Sequence, residues 1–227
     1  MKPVGILGGM GPEATVHLMQ MVIDAVAARD DADHVPLIVH QNPAVPSRIR
    51  RLIDGTGDDP GPVLAQMARD LAAAGAVALA MPCNTAHAYA EAIKQATPLP
   101  FIDMRLATLR HLGKMLPAGA RVGMLASPAV RLARVFDQPF ADAGLNQVFL
   151  QDDAPLLALI RRVKTGDTGA DVAAGFAGLA AGLADQTDHL LVACTELSLL
   201  TPALAGQVWT DSLDCLVAAI IEAATTC

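Results

Sequence analysis

The sequence predicts an α/β protein built from two similar, Rossmann-like lobes, each with a parallel sheet. Short apolar runs alternate with longer helical patterns, as expected of successive βα units. Residues 4–7 (VGIL) also have a counterpart at residues 122–125 (VGML), and a proline-containing turn of small residues follows each segment. Later in each half, an apolar strand runs directly into a cysteine, first Cys83 and then Cys194. This weak repeat predicts lobes related by a pseudo-twofold axis, with the active site in the cleft between them.

The period of the apolar residues places the individual strands and helices. Strands are expected at residues 3–7, 37–41, 77–80, 121–126, 147–150, 190–193 and 208–210. Helices are expected at residues 13–28, 62–74, 86–96, 104–115, 130–143, 155–163, 171–184 and 213–224. Gly75 and Gly144 suit helix C-caps before a strand, and Pro62 suits a first helical turn.

The chain is long enough for two small lobes, and its core must be largely aliphatic. Hydrophobic residues make up 53% of the 227 residues, whereas aromatic residues make up only 3%. We assign residues 1–103 to the first lobe and residues 104–211 to the second. The C-terminal helix, residues 212–227, follows the last strand of the second lobe and is expected to pack back onto the first.

Composition excludes several classes of function. The net charge is −7, and the basic cluster at residues 48–51 is too short for a nucleic-acid surface. No segment approaches 18 uninterrupted apolar residues, so no membrane span is expected, and the first residues do not read as a signal peptide. The four cysteines form no CxxC pair, which predicts a reduced, cytoplasmic protein without a metal site.

The two repeated cysteines carry the most informative chemistry. Cys83 and Cys194 both fall at the carboxyl end of a predicted strand, where α/β sheets bind ligands. If the lobes face each other, one thiolate can remove the α-proton of an amino acid while the opposite thiol donates one. The alternative is that each cysteine is a small core residue, as we expect for Cys215. The matched positions favour the catalytic interpretation.

Polar residues follow both cysteines and open a helix or turn. Asn84 and Thr85 follow the first cysteine, and Thr195 and Glu196 follow the second. Exposed backbone N–H groups at such a position bind carboxylates and favour a thiolate. His87 lies one turn beyond Cys83. It either shifts the pKa of that thiol or has a packing or capping role, and we favour the packing or capping role.

The glycine-rich segment at residues 5–12 (GILGGMGP) links the first strand to a helix. It lacks the third glycine of a dinucleotide fingerprint, and Glu13 would lie close to a pyrophosphate. We therefore favour a turn that presents N–H groups to a small carboxylate. Asn42, Arg48 and Lys164 are further candidates for binding polar or anionic groups, although both cations also suit an exposed surface.

Taken together, these segments resemble the aspartate/glutamate racemase family of cofactor-independent enzymes. The resemblance rests on residues 5–15 (GILGGMGPEAT), 82–87 (PCNTAH) and 193–197 (ACTEL), with Asn42, Arg48, residues 122–126 and Lys164 in the same order. It implies two α/β domains with an active site between them, no cofactor, and Cys83 and Cys194 as the acid–base pair. It also implies a homodimer acting on a small amino acid.

The resemblance extends to individual substrate-binding positions. It implies that Met10, Asn42, Asn84, Thr85 and Thr195 bind the α-carboxylate or the amine of the substrate. Arg48 and Lys164 fall where aspartate-specific members hold the side-chain carboxylate, and Glu196 joins the candidates through its motif.

The expected function is interconversion of L- and D-aspartate without pyridoxal phosphate, with glutamate or a broader set as further substrates. Two alternatives stay open at this point. One is a dicarboxylate isomerase or decarboxylase of the same superfamily. The other is a binder of small acids without catalytic activity.

Overall fold

The structure, a computed structural model, describes residues 1–226, and residue 227 of the predicted C-terminal helix lies outside them. The first half contains β1 Val4–Gly8, α1 Pro12–Asp24, β2 Leu37–Gln41, α2 Arg48–Leu52, α3 Gly61–Ala73, β3 Ala78–Ala80, α4 Ala90–Ala96, β4 Phe101–Ile102 and α5 Met104–Met115. The second half contains β5 Arg121–Leu125, α6 Pro128–Leu132, α7 Asp137–Ala143, β6 Asn146–Val148, α8 Ala154–Val163, α9 Ala170–Ala184, β7 His189–Val192, β8 Trp209–Asp211 and α10 Ser212–Thr226. Short 3₁₀ helices occupy Asp31–Asp33, Thr85–Tyr89 and Leu197–Leu204.

Both halves form a four-stranded parallel sheet with the same strand order. The orders are β2-β1-β3-β4 and β6-β5-β7-β8. Val4 pairs with Ala78 in the first sheet, and Val122 pairs with His189 in the second. Each cysteine lies five residues beyond the residue that pairs with the valine, so the repeat holds at the level of strand register. The predicted two-lobed α/β fold class is confirmed.

Several predicted elements differ from those in the structure. The predicted helix at 130–143 is wrong as one element, because Arg134 adopts a left-handed φ of 53° and separates α6 from α7. The predicted helix at 86–96 begins instead as the 3₁₀ helix Thr85–Tyr89. Strand β4 has only two residues, too few to show a period, and α2 was not predicted although Ser47 caps it.

The two halves exchange their last helices. Leu213 and Leu216 of α10 pack in one core with Ile6 of β1, whereas Leu112 of α5 packs in another core with Met124 of β5. Helices α5 and α10 also contact each other along their length. Each helix therefore helps to cover the sheet of the opposite half. A division into independent lobes at residue 103 stays a prediction.

An aspartate caps each of the exchanged helices at equivalent positions. Asp103 accepts a hydrogen bond from the backbone N–H of Arg105 (3.0 Å), and Asp211 accepts one from Leu213 (2.8 Å). These caps fix the starts of α5 and α10 beside the carboxyl ends of the strands. Within residues 1–226, none of the helices has the length and apolar character needed to cross a membrane.

Candidate active site

A cavity of about 300 Å³ lies between the two halves at the carboxyl ends of their sheets. Ligands of α/β proteins gather in this region because the loops after the strands converge there. Its walls are formed by Gly9, Met10, Gly11, Pro12, Glu13, Ala14, Pro43, Val45, Ser47, Arg48, Ile49, Cys83 and Thr85 from the first half, and by Ser127, Ile160, Val163, Lys164, Cys194, Glu196 and Leu199 from the second.

Both repeated cysteines line this cavity, one from each half. Cys83 follows β3 and Cys194 follows β7, and each keeps 7% of its surface exposed. Both are free thiols, as is Cys215, which lies on α10 away from the cavity. The structure therefore brings together the two thiols that the sequence repeat singled out.

The thiol of Cys194 lies in a charged setting. Its Sγ donates a hydrogen bond to Oε2 of Glu196 (3.2 Å), and the other carboxylate oxygen forms an ion pair with Lys164. Burial raises the pKa of Cys194 well above its usual value, and the negative charge of Glu196 raises it further. Lys164 lowers that pKa but does not outweigh these two effects. Cys194 therefore rests as a protonated thiol.

Lys164 keeps its charge in spite of its partial burial. Burial lowers the pKa of this ammonium group, but the neighbouring carboxylate of Glu196 raises it, and the net shift is upward. Glu196 has 7% of its surface exposed, so the pair lies largely out of solvent. The positive charge of Lys164 is directed at a protein carboxylate in this structure.

Arg48 lies on the opposite wall and contacts backbone carbonyl groups instead. Its Nη1 donates to the carbonyls of Pro46 (3.1 Å) and Val45 (3.4 Å), and its Nη2 donates to Met10 (3.3 Å). Within residues 1–226, no carboxylate forms an ion pair with this guanidinium group. The carbonyl contacts fix the plane of the guanidinium group, and its positive charge stays available to a ligand.

The glycine-rich turn forms one edge of the cavity. Gly9 has a φ of +92°, and a Cβ atom there would lie 2.5 Å from the backbone of Asn42, so only glycine fits. The turn brings Met10, which is 3% exposed, into the cavity wall. Thr85 contributes to the wall from the segment that follows Cys83.

Three other predicted ligands do not line the cavity. Oδ1 of Asn42 accepts a hydrogen bond from the N–H of Ala44 (3.0 Å) within its own turn. Nδ2 of Asn84 donates to Oγ of Ser212 (2.9 Å), and Oγ1 of Thr195 donates to the carbonyl of Pro82 (3.2 Å). These contacts join segments of the protein, and a role of Asn42, Asn84 and Thr195 in binding substrate stays a prediction.

His87 is a buried link between the Cys83 segment and helix α5. Its Nδ1 lies 2.9 Å from the carbonyl of Cys83, and its Nε2 accepts the N–H of Met104 (3.2 Å). These partners fit a neutral ring with the proton on Nδ1. Burial lowers the pKa of His87 to about 4, although the nearby carboxylate of Asp103 opposes the shift. The favoured packing and capping interpretation fits these contacts.

Sequence reasoning missed three polar residues of the cavity wall, which are Glu13, Ser47 and Ser127. Ser127 caps α6 and lies five residues beyond Val122, as Gly9 lies five residues beyond Val4. The repeat therefore carried a signal for Ser127. Glu13 lies in the first turn of α1, where the helix dipole stabilises a carboxylate.

Within residues 1–226, no group of three or more His, Cys, Asp or Glu side chains is arranged to hold a metal ion. The groups that the cavity does offer are one thiol from each half, a carboxylate paired with a lysine, and an arginine without a carboxylate partner in the described residues. Such a set suits proton transfer on a small anionic molecule.

The fold and this pair of thiols define a class of isomerases, the Asp/Glu/hydantoin racemases. The model of that family matches residues 7–223, and the chain therefore belongs to it. The resemblance stated from the sequence motifs is confirmed, as is the expectation of an enzyme of the racemase class.

Individual relatives match nearly the whole length of this chain. The broad specificity amino-acid racemase RacX of Bacillus subtilis is 26% identical over 226 residues, covering 96% of each chain. The aspartate racemase of Picrophilus torridus is 27% identical, with a TM-score of 0.89 over 99% of this chain and 94% of that one. A glutamate racemase of Francisella tularensis shares the fold at 16% identity, with a TM-score of 0.66 over 98% of this chain and 80% of that one.

Proposed function

We propose that this enzyme interconverts L- and D-aspartate by a two-base mechanism that does not use pyridoxal phosphate. One observation carries the proposal: Cys83 and Cys194 come from different halves and line the same cavity. A substrate carbon held between them would present its two faces to two different sulfur atoms.

The first step is removal of the α-proton. The contacts of Cys194 with Glu196 favour its protonated form, so we assign Cys194 as the acid and Cys83 as the base of this direction. The Cys83 thiolate takes the α-proton, and the C–H bonding electrons pass into the carboxylate as an enediolate. The Cys194 thiol then donates its proton to the opposite face, which inverts the centre and leaves Cys194 as thiolate.

The reverse reaction needs the opposite distribution of protons. Glu196 already accepts the hydrogen bond of the Cys194 thiol, so it is placed to take that proton. Lys164 stabilises the negative charge shared by Glu196 and Cys194. The α-proton of an amino acid is far less acidic than a thiol, and hydrogen-bond donors at the substrate carboxylate must stabilise the enediolate. Thr85, Ser127 and the turn at Gly9 surround the space where that carboxylate would lie.

Arg48 supports a substrate with a second carboxylate. Its oriented guanidinium group faces the cavity and lacks a carboxylate partner among residues 1–226. A bidentate contact with the side-chain carboxylate of aspartate would supply that partner. Glutamate or a broader set of amino acids remains a second candidate, because Ile160, Val163 and Leu199 give part of the wall an apolar surface.

The proposal is tested by incubating the purified protein in heavy water with L-aspartate, L-glutamate, L-alanine and maleate in parallel. Proton NMR follows loss of the α-hydrogen, and chiral chromatography follows the D-enantiomer. We expect exchange and inversion to be fastest with aspartate. Isomerisation of maleate, decarboxylation, or ligand-induced thermal stabilisation without exchange would contradict the proposal.

The matched control for this experiment is the variant Cys215→Ala. Cys215 is buried like the other two thiols but lies on α10 outside the cavity. Its loss should leave exchange intact. A homodimeric assembly and a cytoplasmic location stay predictions.

A further inference from the structure

Ser212 lies where the two cysteine-bearing segments come together. It is the first residue of α10, directly after β8, and its side chain is fully buried. Its hydroxyl donates a hydrogen bond to the carbonyl of Val192 (2.9 Å) and accepts one from Nδ2 of Asn84 (2.9 Å). Val192 lies two residues before Cys194, and Asn84 directly follows Cys83. One hydroxyl group therefore links the segment that precedes Cys194 to the segment that follows Cys83.

The direction of these hydrogen bonds constrains Asn84. The single proton of the Ser212 hydroxyl is used on Val192, so the hydroxyl can only accept from the amide of Asn84. Oδ1 of Asn84 has no hydrogen-bond partner within residues 1–226, although Asn84 is 2% exposed. Leaving the buried amide nitrogen unpaired as well would cost further free energy, so the contact with Ser212 anchors the side chain of Asn84.

A second hydrogen bond crosses the cleft in the other direction. Thr195, which follows Cys194, donates to the carbonyl of Pro82, which precedes Cys83 (3.2 Å). Together the two contacts join each cysteine segment to the other on both sides of the thiol. The separation of the two sulfur atoms is thus set by these contacts as well as by the packing of the sheets.

We infer that Ser212 is a positioning residue that fixes the separation of Cys83 and Cys194. The inference rests on the proposed function, because this separation matters only if one substrate carbon must lie between both sulfur atoms. Proton transfer requires reacting atoms about 3–3.5 Å apart, and a displacement of about 1 Å can cost about 100-fold in rate. Loss of the Ser212 hydroxyl would free the Cys83 segment relative to Cys194.

A displaced donor changes the outcome of the reaction as well as its rate. The sulfur atom that removed the α-proton is now a thiol, and it remains in contact with the enediolate. After that proton exchanges with heavy water, the same sulfur returns deuterium to the same face. The substrate then loses its α-hydrogen without inversion, so the ratio of exchange to inversion reports the position of the opposite thiol.

The test compares Ser212→Ala with Ser212→Thr, which keeps the hydroxyl. The control is Thr108→Val, because Thr108 is equally buried but its hydroxyl donates to the carbonyl of Met104 in α5 (2.7 Å) and contacts neither cysteine segment of the cavity. We expect Ser212→Ala to lower kcat for aspartate about 10- to 100-fold with little change in KM. Its ratio of α-hydrogen exchange to inversion should rise severalfold. Ser212→Thr and Thr108→Val should keep the wild-type ratio.

A second variant guards against misfolding of Ser212→Ala. Thr195→Val removes the other crossing hydrogen bond without changing the shape of the side chain, and its ratio should rise in the same way. If wild-type protein racemises aspartate but neither variant raises the ratio, the inference is wrong and the proposed function stands. If wild-type protein neither exchanges nor inverts any amino acid, the proposed function is wrong, and this inference is wrong as well.

Discussion

The surroundings of the two cysteines differ although their positions in the fold are equivalent. Two residues beyond Cys194 lies Glu196, which accepts its thiol proton, whereas two residues beyond Cys83 lies Thr85, which carries no charge. Lys164 forms an ion pair with Glu196 and so extends the charged group beside Cys194. The repeated strand register thus places the two cysteines at equivalent positions, and the carboxylate of Glu196 favours the protonated thiol at Cys194.

The helix starts behind the two cysteines differ in a similar way. In the first half, His87 links the carbonyl of Cys83 to α5, and Arg105 neutralises the capping Asp103 (2.6 Å). In the second half, Ser198 occupies the position of His87, and no basic side chain within residues 1–226 forms an ion pair with Asp211. Burial therefore raises the pKa of Asp211 to about 7.

Removing either of the two cavity thiols should have the largest effect on activity. Cys83→Ala or Cys194→Ala should lower racemisation of aspartate by about 10²- to 10⁴-fold, since the proposed mechanism uses each thiol as an acid–base group. Cys215→Ala should retain near wild-type activity because it lies outside the cavity. The measurement is the rate of D-aspartate formation by chiral chromatography. Racemisation within tenfold of wild type in either cavity variant would remove that cysteine from the mechanism.

The two cations on the cavity walls are distinguished by their partners. Arg48 faces the cavity without a carboxylate partner in residues 1–226, so Arg48→Ala should lower kcat/KM for aspartate by about 30- to 150-fold, or about 2–3 kcal/mol. The effect should fall mainly on KM and should be small with alanine, which has no side-chain carboxylate. Equal losses of kcat/KM with both amino acids would show that Arg48 does not bind the side-chain carboxylate of aspartate.

The charged pair next to Cys194 should control the alkaline limb of the pH profile. Glu196→Gln removes a cause that raises the Cys194 pKa, so Cys194 ionises at lower pH and activity is lost earlier as pH rises. Lys164→Met removes a cause that lowers the same pKa, so the limb should move to higher pH. Each variant should also lose about tenfold in kcat. Limbs that move in the same direction would contradict the assignment of Cys194 as the acid.

The two helix starts should respond to pH with opposite signs. The unfolded imidazole of His87 binds a proton near pH 6.5 and the folded one near pH 4, so stability falls as pH falls through this window. The unfolded carboxyl of Asp211 loses its proton near pH 3.8 and the folded one near pH 7, so stability falls as pH rises through that window.

Two variants test these opposite signs by thermal unfolding between pH 4 and pH 8. His87→Asn should flatten the acid side of the Tm profile. Asp211→Asn should raise Tm by a few degrees at pH 8 and change it little at pH 4. The exposed Asp185→Asn serves as control. A parallel shift of Tm at all pH values would mean that neither group titrates as described.

Much of the fold was accessible from the sequence because apolar runs and cysteines repeat in register. The VGIL and VGML segments predicted both central strands, and the strand that leads into Cys194 is shifted by one residue from the predicted range of 190–193. Strand β4 was missed because Phe101 and Ile102 are too few to show alternation. The break at Arg134 was missed because a left-handed conformation of a non-glycine residue has no marked sequence signal.

The motifs of the site could be predicted from the sequence, but the contacts between their side chains could not. Cys83 and Cys194 were found because each follows an apolar strand, whereas Arg48 and Lys164 were found from their charge and from the resemblance to the racemase family. The pairing of Lys164 with Glu196 joins residues 32 positions apart, and only tertiary structure brings them together. Ser212 gave no signal because a hydroxyl at a helix start is ordinarily a local cap.

The most direct test of the account is α-hydrogen exchange by each single-cysteine variant with the two enantiomers of aspartate in heavy water. Cys194→Ala retains the sulfur on one face and should exchange only one enantiomer, slowly and without inversion. Cys83→Ala retains the opposite sulfur and should exchange only the other enantiomer. Exchange of the same enantiomer by both variants would contradict the claim that the two thiols face opposite sides of one carbon.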